Sequence, residues 1–360
     1  PLTDVTPDPS ITFGVLPNGM KYAIQQNDTP KDSASIRMAI DFGSIAETDE
    51  EQGLAHFIEH MAFNGSKNVP EGEMVSILER NGLAFGADTN ASTGFEQTVY
   101  KLDLPKTDEK TVDIAMMLMR EVAGNLTFDP GAVDRERGVI MGEMRARDSV
   151  GLRNVKDQLA FIAPDAPYAS RLPIGTTDVL ENAPASRLKA LWQRDYRPEN
   201  TTLVVVGDFD VQAMQAEIRE RFGDWQGEGP AGAPLNFGSV DLNRATEVEV
   251  FTDPDVPYSA SISNFRPWES PADTQAERTK SLIDALAIGA FNRRIERIAS
   301  QPDSVIVGGG MSTNDLRDAA LGTSVALTAK DGEWASALTT AEQEVRRAEQ
   351  YGFTQAELDV

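Results

Sequence analysis

Cysteine is absent from the 360 residues of this chain, and histidine occurs only twice. Without cysteine there is no disulfide framework, no thiol nucleophile and no thiolate metal site. With two histidines, any metal centre must complete its ligand set with Asp or Glu. Long hydrophobic runs are missing too. None approaches the ~18 residues of a membrane-spanning helix, so no membrane span is expected. Basic residues are scarce beside acidic ones: 33 Lys and Arg face 57 Asp and Glu, for a formal net charge of −24. Such a field serves solubility first. It also repels nucleic acid, which is excluded as a partner, and it favours basic ligands.

What is present is ordinary for a globular protein: 40% hydrophobic and 25% charged residues. The length suits two domains of roughly 150–200 residues. Strand composition fills residues 12–42, with a Pro-Asn-Gly turn in "TFGVLPNGMKYAIQQ" as a hairpin signal. Helical patterns follow over 48–64 and 72–81. Strand composition returns in "DTNASTGFEQTVYKLDLP", and 107–126 is helical with an apolar face that includes Ile114, Met117 and Leu118. Met116, Met117 and Met119 read as core filling. Asp129 and Pro130 open another helix as N-cap and first residue. "TTLVVVGDFD" is a buried strand and "VQAMQAEIRERF" the helix after it. The Gly/Pro-rich stretch 227–238 reads as a linker. The expected division is a first domain over 1–230 and a second over 240–360. "VGGGMST" near 307 lacks the Lys of a phosphate-binding loop and reads as a flexible turn. Thr354 and Glu357 form a capping box only one turn before Val360, and the chain opens on Pro1 rather than Met. The expectation is an N-terminal part of a longer, processed protein, with the second domain cut at its C-terminus.

Both histidines lie in "GLAHFIEHMAFNG", residues 53–65. Taken as a helix over 48–63, with Thr48 and Glu51 as a capping box, this stretch puts Leu54, Phe57, Ile58 and Met61 on one side. His56, Glu59 and His60 cluster nearly opposite. Imidazoles one turn apart can converge on one ion, and Zn²⁺ suits them. A catalytic zinc keeps one position for water, whose pKa then falls to near 7. Glu59 lies beside His60 and can take that water's proton. The order H-x-x-E-H inverts the commoner H-E-x-x-H. For the third ligand, the helix from Asp129 offers Glu136 and Glu143, seven apart and nearly eclipsed. Spacing does not choose between them.

"GLAHFIEHMAFNGS", "GADTNASTGFEQTVYKLDLP", "ERGVIMGEMRAR" and "YRPENTTLVVVGDFD" together resemble the pitrilysin/insulinase family of inverted-motif zinc metallopeptidases, in the family's order over about residues 10–226. The region from 240 to 360 resembles the family's catalytically empty companion domain. The resemblance implies an α+β fold of two similar domains of the mitochondrial-processing-peptidase type, each a mostly antiparallel sheet packed with helices. It implies His56, His60 and Glu143 as ligands of one Zn²⁺, Glu59 as general base, and Glu136 as a supporting residue behind the ligands. Asn90 and Ala91 fall on the family's substrate-side edge strand, which holds an extended peptide as an added strand. The family encloses its substrate between two halves. The second half, in the same chain or as a partner subunit, would supply an arginine and a tyrosine that no residue here matches.

The function expected is therefore zinc-dependent endopeptidase action on peptides or unfolded segments. The alternative is a non-catalytic peptide-binding or scaffold subunit of the same fold. A structural metal module, which would need four protein ligands, is a third reading. Location is expected to be periplasmic or secreted, on the resemblance and the non-Met start, with the cytoplasm as alternative.

Overall fold

A computed structural model describes residues 3–84, 86–316 and 318–359; Pro1 and Val360, on which the expectation of a longer protein drew, lie outside them. The chain divides into two compact units. The first comprises Pro7–Asp148 and Pro167–Asn236, and the second takes Ser149–Ala166 and the chain from Phe237 onward.

The first unit begins with β1 (Ile11–Val15), β2 (Lys21–Gln26), β3 (Ala34–Ile40), α1 (Leu54–Met61), α2 (Glu73–Arg80), β4 (Thr89–Thr93), β5 (Thr98–Leu104), α3 (Glu109–Gly124) and α4 (Pro130–Arg147). After α5 (Val150–Ile162), which belongs to the second unit, it resumes with α6 (Pro167–Ser170), α7 (Thr177–Asn182), α8 (Ala185–Asp195), β6 (Thr201–Gly207) and α9 (Val211–Phe222). Its strands form one sheet in the order β1-β2-β6-β3-β5-β4 among the described residues. Only β2 and β6 run parallel; the other neighbours are antiparallel. The Pro-Asn-Gly turn joins β1 to β2, with Gly19 at φ +94° and Leu16 N–H donating to Met20 O at 2.8 Å.

Strict alternation of buried and half-buried residues along β3, β5 and β6 sends one row of side chains into the core. Ile36, Met38, Ile40, Tyr100, Leu102, Leu203 and Val205 form that row, and Leu54, Phe57, Ile58 and Met61 of α1 pack into the same core. Full burial of each such side chain contributes about 1.5–3 kcal/mol. On α3 the buried stripe is Ala115, Met116, Leu118, Met119 and Val122, so Ile114 and Met117, expected on that face, only flank it.

Two expectations about local structure are corrected. The helix expected over 48–63 is shorter. Thr48 and Glu51 do form a capping box, but on a single 3₁₀ turn, Asp49–Glu51, and α1 starts at Leu54. Gly53, at φ +96°, separates the two. It packs against Gly175, at φ +75°, so closely that a Cβ on Gly175 would lie 2.4 Å from the Gly53 Cα. The stretch at 307 is no turn but part of a strand, Ile306–Asp315. Beside the break at 236–237, which falls where the linker is expected, α5 groups with the chain after Phe237. Arg244 stacks its guanidinium 5.1 Å from the Phe161 ring centroid and donates to Phe161 O at 2.7 Å, and Arg153 pairs with Asp253 at 3.3 Å. The residues that hold α5 thus come from the chain after Phe237.

The second unit continues with β7 (Ser259–Arg266), α10 (Gln275–Ala299), β8 (Ile306–Asp315), β9 (Leu321–Ala329), α11 (Trp334–Tyr351) and α12 (Gln355–Leu358). Its strands form an antiparallel sheet in the order β7-β9-β8. Two glycines of the triple glycine in β8 are crowded by other groups. A Cβ on Gly309 would lie 2.2 Å from Ala326 O, and one on Gly310 2.5 Å from Asn292 Oδ1. Asn292 uses that space, accepting from Met311 N at 2.6 Å and donating to Met311 O at 3.0 Å. Phe291, Ile295, Val325, Leu327, Ala337 and Ala341 make the core of this unit. Both units are mixed α+β, and among the described residues no helix is long and apolar enough to cross a membrane.

Candidate metal centre

The candidate site sits on α1, and an unusual cap seats this helix. Glu47 is buried, and its two carboxyl oxygens accept from Gly53 N at 2.9 Å and Ala55 N at 2.7 Å. They satisfy donors that the first turn of a helix leaves open. Burial pushes the Glu47 carboxyl up to about 8, against the pull of these two N–H groups. Arg171 Nε donates to Glu47 O at 3.0 Å and ties the cap to the segment that carries Gly175.

Every residue of α1 except His60 is buried, so the face with the imidazoles is enclosed as well as the apolar one. The His56 and His60 rings stand edge to face, 4.7 Å apart between centroids. Helix α4 brings Glu143 to them. Its Oε2 lies 3.3 Å from His60 Nε2 and 3.8 Å from His56 Nε2. One donor atom from each of His56, His60 and Glu143 lies within 4.8 Å of the others. Donors at ~2.1 Å from a tetrahedral ion are about 3.4 Å apart, so this N, N, O set fits one Zn²⁺-sized cation. The second oxygen of Glu143 pairs with Arg147, one turn further along α4.

Glu136 plays a different part. Its Oε1 accepts from His60 Nδ1 at 2.7 Å, which leaves Nε2 as the free donor atom of that ring. Its Oε2 accepts from Asn64 Nδ2 at 2.9 Å. His56 Nδ1, by contrast, is buried with no hydrogen-bond partner among the described residues. The electrostatics separate the two rings. Burial, with His60 adding to it, lowers the His56 pKa to about 4. Burial acts on His60 in the same sense, but the hydrogen bond and charge of Glu136 outweigh it and raise the pKa. The charge of Glu59 also raises the His60 pKa, but Glu59 makes its side-chain hydrogen bond elsewhere. Its Oε2 accepts from Thr93 Oγ1 at 2.6 Å, and burial raises its pKa although that hydrogen bond opposes the shift.

Asn90 and Ala91 lie on β4, the edge of the sheet, which pairs with β5 alone among the described residues. Alternation sets exposed Asn90 on the opposite face from Thr93, and its Oδ1 accepts from Ala91 N at 2.9 Å. The structure thus gathers His56, His60, Glu143, Glu136 and Glu59 into one cluster and leaves the Asn90 side chain outside it.

The insulinase (peptidase family M16) profile matches residues 22–164, which hold this whole cluster, and the M16 inactive-domain profile matches residues 182–360. The chain belongs to the insulinase family, M16. Among the similar proteins of this family is the probable zinc protease PqqL of Escherichia coli, 30% identical over 98% of this chain and 38% of that protein. The Haemophilus influenzae protein of the same name is 29% identical over 98% of this chain and 38% of its own length. The crystal structure of the first half of the periplasmic protease PqqL from Escherichia coli superposes with a TM-score of 0.84 at 27% identity, covering 98% of this chain and 75% of that one. The chain therefore spans 38% of the length of each of these two curated relatives.

Four residues of this M16 site were not singled out by the sequence reading: Glu47, Asn64, Thr93 and Arg147. Thr93 carried one usable signal, since strand alternation places it on the same face as Ala91. Arg147 carried another, four residues after Glu143 on one helix. Glu47 and Asn64 act through contacts that no local period announces.

Proposed function

We propose that this M16 protein is a zinc-dependent endopeptidase that hydrolyses peptides or unfolded protein segments, with His56, His60 and Glu143 as the metal ligands and Glu59 as general base. One observation carries the reading. Two imidazole Nε2 atoms and a carboxylate oxygen converge within 4.8 Å, and a separate buried carboxyl on the same helix turn stays out of that set. Bound zinc supplies Lewis acidity, which eases ionisation of a water and polarises a peptide carbonyl. Glu59 takes the proton of the attacking water and later delivers it to the departing amine. Glu136 holds His60 in the tautomer that offers Nε2. The open edge of β4, with the Ala91 carbonyl and Asn90, aligns the substrate as an added strand.

The same proposal makes the first unit the catalytic domain and the second its companion. A second half, from the same chain or a partner subunit, closes the chamber, and the protein works in the periplasm or outside the cell. The likeness to the periplasmic PqqL structures supports both points. The test is zinc content by atomic emission together with cleavage of a quenched basic peptide by the complete encoded protein, with and without chelator. One zinc per chain and chelator-sensitive cleavage are expected. Zinc without cleavage would favour a peptide-binding scaffold, and no zinc would overturn the reading altogether.

A further inference from the structure

We propose that Thr93 is a positioning residue that fixes which oxygen of Glu59 receives the proton. This inference rests on the endopeptidase reading and adds to it a residue outside the H-x-x-E-H helix. The argument turns on hydrogen supply. Thr93 Oγ1 lies 2.6 Å from Glu59 Oε2 and 3.4 Å from Thr98 Oγ1, its cross-strand partner on β5. Thr98 is fully buried and donates its only hydroxyl hydrogen to Phe42 O at 2.9 Å. Toward Thr93 it can act only as an acceptor. An ionised carboxylate is likewise acceptor-only. The single Thr93 hydrogen therefore goes to the closer and charged acceptor, Oε2 of Glu59, where such a bond is strongest.

A donor held on Oε2 lowers the basicity of that oxygen and stops the carboxylate from turning about its last bond. Oε1 carries no protein hydrogen bond among the described residues. In the reaction, one proton leaves the water for Oε1 as the water oxygen bonds the scissile carbon. The same proton then leaves Oε1 for the amine nitrogen as the C–N bond breaks. Glu59 returns to its starting charge, and the Thr93 hydrogen never transfers. Thr93 also belongs to β4 itself. The strand proposed to receive the substrate is thus the strand that holds the base, and ordering one orders the other.

The experiment compares wild type, Thr93→Val, Thr93→Ser and Glu59→Gln in the complete encoded protein. Val keeps the shape and the backbone of β4 and removes only the donor. We expect Thr93→Val to lower kcat by about 10–100-fold, with KM and zinc content unchanged. Thr93→Ser should stay within about threefold of wild type, because it keeps the hydroxyl. A second readout needs no turnover. Crystal structures of zinc-loaded wild type and Thr93→Val should show the Glu59 carboxyl fixed against β4 in the first and rotated or disordered in the second. Wild-type kcat in Thr93→Val, or a Glu59 carboxyl equally ordered and placed in both crystals, overturns the proposal. If wild type itself cleaves nothing, the endopeptidase reading fails on that ground, and the crystal comparison still decides the role of Thr93.

Discussion

Each unit sets polar side chains into a helix that packs against its sheet, and the two sets are finished differently. In the second unit, Arg294 on α10 is nearly inaccessible and every arm is met within the protein. Its Nε donates to Glu357 Oε1 at 2.8 Å, its Nη1 reaches Glu344 at 3.4 Å, and its Nη2 donates to Glu357 Oε2 at 3.1 Å and to Gly352 O at 3.3 Å. In the first unit, His56 and His60 on α1 point their Nε2 atoms at one oxygen of Glu143, and His56 Nδ1 has no partner among the described residues. A buried charge whose hydrogen bonds close on themselves is a strut. Two imidazole nitrogens and a carboxylate oxygen turned toward one point suit a cation. The lesson is to ask which buried polar groups remain unfinished, and not merely to count them.

The largest expected effect falls on the unfinished side. Glu59→Gln should lower kcat by about 10²–10⁴-fold or more while zinc content stays at the wild-type level. Equal turnover would remove the chemical half of the contrast. On the finished side, Arg294→Ala should leave zinc and kcat alone and destabilise the second unit by about 3–5 kcal/mol, because two carboxylates lose their shared partner. Denaturant melts would read this, and a change in zinc binding would blur the distinction between strut and site. Glu136→Gln should weaken zinc binding by about 10–100-fold, read by competition with a chelating dye, because His60 loses the acceptor that sets its tautomer.

The smallest effect concerns Glu47. Its folded pKa, about 8, lies above the ordinary 4.5, so the folded state holds a proton that the unfolded chain gives up. Its stabilising contribution is whole below about pH 4.5 and is lost as pH rises through about 8. Urea melts at pH 5 and pH 8.5 should show wild type losing more stability on the rise than Glu47→Gln. Parallel losses would mean that the cap carries no such proton.

The sequence made some of this legible and hid the rest for physical reasons. Local periods were readable. Two histidines four apart with Glu59 between them needed only helical geometry to share a face, whereas the α+β class came from the resemblance that the quoted motifs carry. Contacts between distant segments were not readable. Glu136 and Glu143 are equivalent by spacing. Only the crossing of α4 over α1 sets one against Nδ1 and the other against Nε2 of His60. The start of α1 was misplaced because Gly53 answers to Gly175, more than a hundred residues away. The triple glycine read as a turn because the reason for it, the Asn292 side chain and the β9 backbone, belongs to other elements. α5 was assigned by its neighbours in sequence, while its partners Arg244 and Asp253 come much later.

The sheet order has a consequence for how such a chain is made. β6 lies between β2 and β3, yet it is the last strand of its sheet to leave the ribosome. His56, His60 and Glu143 are all synthesised before residue 150, and Arg171, which braces the cap of the histidine helix, and the strand that joins the two halves of the sheet come afterwards. Until Gly207 emerges, β2 and β3 each expose an unpaired edge, the kind of surface that invites wrong partners. A nascent chain that captured zinc early would hold it on a helix still without its footing.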